Sequence, residues 1–303
     1  MKKFVTVLFF FLFSLPLFAQ TDEKTVPLSP VKFYQGEENM PYAFTPYRGE
    51  YAYRGKLGFL KATLVKATTE IIELPDEWQE TQFYQPSAAM AQMFNDRDQP
   101  SGAIKDVELV SKIDRKTGLL KSMRGNILKN GNAGIELFIN SDGQIVITEI
   151  DGSRKKQKTI DTKEKIYPCA YNNVFFSYLP LSEQFEGSFT CLDLEDLDTG
   201  SPTIRFVKRT LKVVGSETVT VEGGTFDCYK LSDKTEEIRY NKDGTVKESK
   251  KTVKKDFSGS NFLSNFYSSV WIEKNTRKFI KGEVGTSKGS LSVELQKMRG
   301  RNL

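Results

Sequence analysis

Histidine is absent from all 303 residues, and that absence removes more chemistry than any other feature of the chain. Ser-His-Asp and Cys-His arrangements cannot be built, and the commonest general base is missing. Mixed Cys/His zinc sites are excluded with it. Cysteine is scarce: Cys169, Cys191 and Cys228 are the three, and their spacing matches no metal motif. An oxidising compartment would permit one disulfide, and the pairing expected, if one forms, is Cys191–Cys228. Charge of a single sign is lacking too. Lys and Arg number 44 against 39 Asp and Glu, a net +5, which is too balanced for the strong basic excess of nucleic-acid binders. No metal or cofactor is expected.

Long hydrophobic runs are missing after the first twenty residues, so no membrane-spanning helix is expected. The one run that exists follows Met1-Lys2-Lys3 and extends from Phe4 to Phe18, with Ala19 behind it. A short basic start, an apolar middle and a small residue describe a secretory signal peptide over residues 1–19, with Gln20 first after cleavage. The mature chain is then periplasmic or extracellular. No cysteine follows the cut, so a lipid anchor is not expected. Loss of Lys2 and Lys3 leaves 42 basic against 39 acidic residues, a net +3.

What the chain has in quantity is aromatic side chains and tight turns. Residues 20–46 form a polar leader with four prolines and no period. From Tyr47 to the end, residues 47–303 read as a single antiparallel β domain. Tyr51-Ala52-Tyr53 and Ala62 to Ile72 read as strands, with Gly55 and Gly58 as turn punctuation. Helix competes only between Leu74 and Gly102, where Ser87 is placed to cap Ala88 to Phe94. Hairpins then follow one another. Val107–Ile113 meets Leu119–Met123, Gly134–Ile139 meets Gln144–Thr148, Glu237–Tyr240 meets Thr245–Lys247, and Val270–Ile272 meets Lys278–Ile280. Asp-Gly and Asn-rich pairs at the reversals supply the positive φ that tight hairpins need. The fold class is mainly β: a curved antiparallel sheet or half-open β-barrel with one short helix.

Between Ile166 and Ser201 the aromatics Tyr171, Phe175, Phe176, Tyr178, Phe185 and Phe189 cluster without a period. They either face a ligand in a cavity or close one end of the core, and closure is better founded because apolar residues mostly pack. Asp198-Thr199-Gly200-Ser201 spells the aspartic-protease tetrapeptide, but the second copy needed to share a proton is missing. Asp193, Glu195, Asp196 and Asp198 lack the spacing of an EF-hand and read as a solvated loop. Two basic runs, Arg154 to Lys158 and Lys247 to Lys255, read as a solvated edge guarded against strand-to-strand pairing; contact with anionic lipid is the sharper reading.

The stretch Gly215 to Leu231 places two strands about Gly223-Gly224, with Val219, Val221, Phe226 and Cys228 on the buried side and Thr225 positioned to bond across the turn. With Val110–Leu119 and Val270–Val284, it resembles a family of exported bacterial envelope proteins catalogued as a domain of unknown function, near the pilus-associated TapB-like proteins. Glu222-Gly223 stands where that family has Pro-Ala. The resemblance spans about 47–296; it implies a curved antiparallel sheet and no catalytic residues. The functional expectation is an exported, non-enzymatic envelope protein that binds an apolar ligand or a partner protein on that sheet. The alternative is a structural or assembly factor of the cell surface acting through protein contacts.

Overall fold

The structure, a computed structural model, describes residues 44–57, 60–88, 106–127, 133–162, 164–168, 173–195, 203–240, 246–247, 267–286 and 289–300. The signal segment and almost all of the leader lie outside these, as do Gly58, Cys169, Tyr171, the Asp198 tetrapeptide, the Asn241–Gly244 turn and residues 248–266. Of the expected helix from Ala88 to Phe94, only Ala88 is described.

The alternation of apolar and polar residues becomes an antiparallel sheet because each strand can bury only one face. In chain order the strands are β1 (Tyr47–Leu57), β2 (Leu60–Glu73), β3 (Glu77–Pro86), β4 (Val107–Asp114), β5 (Leu120–Ile127), β6 (Ala133–Ile139), β7 (Gln144–Asp151) and β8 (Arg154–Asp161). After them come β9 (Ile166–Tyr167), the five-residue helix α1 (Asn173–Ser177), β10 (Glu186–Glu195), β11 (Thr203–Val221) and β12 (Gly224–Tyr240). The last are β13 (Val246–Lys247), β14 (Ser269–Glu273), β15 (Phe279–Thr286) and β16 (Gly289–Gly300).

All belong to one 16-stranded sheet whose order runs β8-β7-β6-β5-β4-β3-β2-β1-β16-β15-β14-β12-β11-β10-β9, with β13 paired to β12 off this path. The path does not close on itself, so the mainly β, curved open sheet expected from sequence is what the chain builds. Register shifts at Glu50/Tyr51, Tyr53/Arg54, Lys112/Ile113, Val213/Gly215 and Trp271/Ile272 mark bulges, which bend and twist the strands that carry them.

The turns between consecutive strands are built locally. Asp114 Oδ1 accepts from the backbone N–H groups of Lys116 and Thr117 at 3.0 and 2.8 Å, and Gly118 completes the reversal at φ 71°. A Cβ at Gly118 would stand 2.7 Å from the Tyr178 ring, so the site requires glycine both for its backbone angle and for the close approach. At the β6–β7 turn, Asn140 Oδ1 accepts from Asp142 N and Gln144 N, and Gly143 takes φ 80°. In the β11–β12 reversal Gly224 takes φ 136°, and the Thr220 and Thr225 hydroxyls bond at 3.1 Å. Val219 and Cys228 are buried there, while Val221 and Phe226 pack half-buried against the core.

Three local readings change. Gly55 is not a turn: it lies inside β1, where a Cβ would meet Leu64 at 2.7 Å. Within Leu74 to Gly102, whose first half the sequence leaves unassigned, Glu77–Pro86 is strand β3, with Trp78, Glu80, Gln82 and Tyr84 all on the buried face. Cys191 and Cys228 are buried thiols that are not joined to each other. They sit opposite Val207 and Glu217 on either side of β11, an offset of roughly 30 Å along the strand that no disulfide spans. Burial pushes the Cys228 thiol up to about 12. Both cysteines are expected to resist iodoacetamide at mildly alkaline pH in the native protein and to react once it is denatured. Mass spectrometry after timed alkylation checks this, and rapid native labelling of either would contradict it.

Candidate functional site

The interior side of the sheet is filled by the aromatics singled out from sequence. Phe175 and Phe176 lie on α1, Tyr178 follows it, and Phe185 and Phe189 lead into and lie on β10; all five are buried in the main core. Phe175 and Phe189 rings meet at 4.7 Å, Tyr167 joins both at about 6 Å, and Phe176 stacks on Phe279 at 6.3 Å. Full burial of each phenylalanine contributes about 1.5–3 kcal/mol. The Tyr178 hydroxyl donates to Arg115 O at 2.6 Å, which ties this plug to the β4–β5 turn.

Beside the plug lies a polar cluster that sequence reasoning missed. The Glu80 carboxylate is buried and accepts four N–H groups: Asn173 N and Nδ2 and Gln82 Nε2 at Oε1, and Val174 N at Oε2, all within 2.8–3.1 Å. Tyr84 donates its hydroxyl to Gln82 Oε1 at 2.8 Å, and Tyr51 donates to Asn173 Oδ1 and Phe279 O. Burial pushes the Glu80 carboxyl up from the usual carboxylate range, against these donors, which hold it down. Burial likewise holds the Tyr51 and Tyr53 phenols protonated, Tyr53 up to about 12. The small cavity here, bordered by Tyr51, Tyr53, Tyr84, Asn173 and Tyr267, measures about 20 Å³. That holds about one water molecule. The signal in the sequence was a glutamate in the inward phase of Trp78-Gln79-Glu80-Thr81-Gln82.

On the opposite face of β3–β8 the sheet carries an open groove of about 630 Å³. Register explains its lining. One cross-strand row runs Gln79, Lys112, Ser122, Phe138, Val146; the next runs Thr81, Val110, Arg124, Glu136, Thr148, Gln157. Each lies out of phase with the core residues Ile113, Leu137 and Ile147. Phe138 is the conspicuous member. It is 56% exposed, and among the described residues only Val214 shares the status of an exposed large hydrophobic. The charges nearly cancel: Arg124 lies 3.7 Å from Glu108, and Lys112 bonds Glu77 at 2.6 Å. The detectable signal was Phe138 itself, an aromatic in the outward phase of Ile135-Glu136-Leu137-Phe138-Ile139.

The basic run from Arg154 is edge strand β8, exposed along nearly its whole length. Lys156 and Lys158 reach Glu149 on β7 at 4.0 and 3.6 Å. The second run lies mostly outside the described residues, as do the side chains of Asp193 and Glu195. Among the described residues no three Cys, Asp or Glu stand close enough to hold a metal ion, and no helix is long and apolar enough to cross a membrane.

No family model matches the sequence, and no curated protein matches it; the likeness to the TapB-like proteins gains nothing from either comparison. Two solved structures resemble the chain at a low level. One is a candidate lipoprotein from Parabacteroides distasonis, 10% identical with a TM-score of 0.32, covering 89% of this chain and all of that one. The other is a candidate exported protein with a YmcC-like fold from Bacteroides fragilis, 10% identical with a TM-score of 0.33, covering 88% of this chain and all of that one. Likeness of that degree decides neither the fold nor the function of this protein.

Proposed function

We propose that the protein is an exported, non-catalytic binding protein of the cell envelope, and that it takes its ligand in the groove on the outer face of β3–β8. The groove carries this reading: its volume falls in the range of small-ligand sites, and polar side chains converge around one exposed aromatic. The apolar-ligand version expected from sequence is less well supported. A lipid-sized guest needs apolar interior volume, whereas the cavity beside Glu80 takes about one water and is walled by Tyr51, Tyr53, Tyr84, Tyr267 and Phe279. The signal-like first nineteen residues and the likeness of Gly215–Leu231 to the TapB-like envelope proteins fit an exported location.

Isotope-labelled mature protein titrated separately with the aqueous and lipid fractions of a bacterial envelope extract tests the reading by chemical-shift mapping. Shifts are expected on Ser122, Arg124, Glu136, Phe138 and Thr148 with the aqueous fraction. Shifts confined to Phe175, Phe189 and their neighbours would place the ligand inside and overturn it. A second reading, assembly with an envelope protein, is favoured by β8, a basic strand at the open end of the ladder. In that case the shifts fall on the β8 amides, and the groove residues of β4 to β6 stay still.

A further inference from the structure

We infer that the groove on β3–β8 is a subsite for a neutral oligosaccharide, with one sugar ring stacked on Phe138; the inference rests on the groove reading above. A pyranose presents an apolar C–H face and a rim of hydroxyls, each of which donates and accepts at once. Phe138 offers the matching flat apolar surface, standing clear of the sheet between Ser122 and Val146 on the neighbouring strands. Around it the groove sets donor-only groups on Lys112 and Arg124 and acceptor-only groups on Glu108 and Glu136. Gln79, Thr81, Ser122, Thr148 and Gln157 do both. Such a mixture satisfies hydroxyls, which are wrong partners for a surface of one kind alone.

Charge narrows the class further. Two cations face two anions within the groove, so a polyanion gains nothing there. The apolar surface is broken up: Phe138 pairs with Val146, Val110 stands in the next row, and the buried Met123 and Leu137 border the groove. Charged, amide and hydroxyl groups lie between them, which suits a ligand of mixed surface better than an alkyl chain. An extended peptide fits no better across most of the groove: its main-chain groups need a sheet edge, and the backbones of β3 to β7 are paired on both sides, leaving an edge at β8 alone. The longer row crosses six strands, β3 to β8, a span of roughly 24 Å at the usual strand spacing, and the row through Phe138 crosses five, long enough for several linked rings oriented across the strands.

Isothermal titration of the mature protein with cellohexaose, xylohexaose, maltohexaose and chitohexaose tests the inference. At least one is expected to bind saturably. Phe138→Ala is expected to weaken that binding by about three- to tenfold, with Phe138→Trp restoring it and Val214→Ala, an exposed residue on β11, leaving it unchanged. Phe138 is a surface residue, and coincident thermal melts confirm that each variant folds. Absence of saturable binding by all four sugars, or equal binding by Phe138→Ala, overturns the saccharide assignment. So does binding to phosphatidylcholine vesicles that Phe138→Ala abolishes. If sugars fail while the shift map with envelope extract stays on the groove, the ligand class falls and the site stands; if the map moves elsewhere, both fall.

Discussion

Glu80→Ala is expected to lower the unfolding free energy by about 3–5 kcal/mol, the sum of several orphaned buried donors after partial relaxation, read as a shift of the urea midpoint at unchanged slope. The size follows from what the carboxylate holds. It accepts the first two N–H groups of α1, from Asn173 and Val174, together with the side chains of Asn173 and Gln82. Removing it leaves four buried donors without an acceptor, each costing about 1–3 kcal/mol if nothing relaxes. The damage reaches beyond one strand. Asn173 also accepts from Tyr51 on β1, and Tyr51 donates onward to Phe279 on β15, so both halves of the sheet lose a shared anchor for the helix that carries Phe175 and Phe176. A loss below about 1 kcal/mol would mean that water or rotamer change replaces the carboxylate.

The same residue makes the stability depend on pH in a defined direction. Burial lifts the folded-state pKa of Glu80 above that of an unfolded glutamate, about 4.3. The folded protein therefore keeps this proton to higher pH than the unfolded chain does. The resulting stabilisation is complete below about pH 4.3 and is lost as pH rises through the raised folded value. Glu80→Gln removes that dependence, so the advantage of the wild type over this variant should be largest in mild acid and shrink toward neutrality. A difference that grew with pH would reverse the assignment.

Arg209→Met is the second large effect. Arg209 and Asp233 are fully buried, with Nε and Nη2 of the arginine donating to Asp233 Oδ2 at 3.0 and 2.7 Å. The guanidinium also lies 5.8 Å over the Phe176 ring, so it touches the aromatic plug. Taking away the cation strands a carboxylate in the core, and the expected loss is about 3–5 kcal/mol. The pair need not be net favourable for this to hold, because desolvation of both charges offsets their attraction. Arg209→Met with Asp233→Leu should therefore recover most of the loss, as a double-mutant cycle in urea would measure. A double variant as unstable as the single one would show that the pair contributes more than an apolar replacement can.

Most hairpins were legible in the sequence because turn chemistry is local. Asp114 to Gly118 and Asn140 to Gly143 announce their reversals through residues that satisfy the turn by themselves. The aromatic cluster of Phe175, Phe176 and Phe189 was visible as a density of rings without a period, and all three are buried in the core. What the sequence hid depends on partners far along the chain. Glu80 looks like a solvated charge until α1, some ninety residues later, supplies its donors. Arg209 and Asp233 read as exposed charges on long strands until Leu211 and Thr235 fix which face is inward. The groove was hidden for a related reason: Phe138 breaks the outward polar phase by itself, but its neighbours Ser122 and Val146 come from the strands on either side, and register alone brings them together.

The β1–β16 pairing has a consequence in time. Every other antiparallel neighbour in the sheet is close in sequence, yet β1 lies against β16, with Tyr47 opposite Gly300. The meander β1–β8 can zip from its own turns as soon as it emerges from a ribosome or a membrane channel, and so can much of β10–β16. The seam between them must wait until the last strand has arrived, and closing so long a loop is the slow, entropically costly step. Until then β1 is an unpaired edge with its hydrogen-bonding groups open. A chain delivered from one end through a membrane thus spends its passage with its most central strand exposed. That interval, and not the finished sheet, is when it would be most prone to aggregate and most dependent on a chaperone.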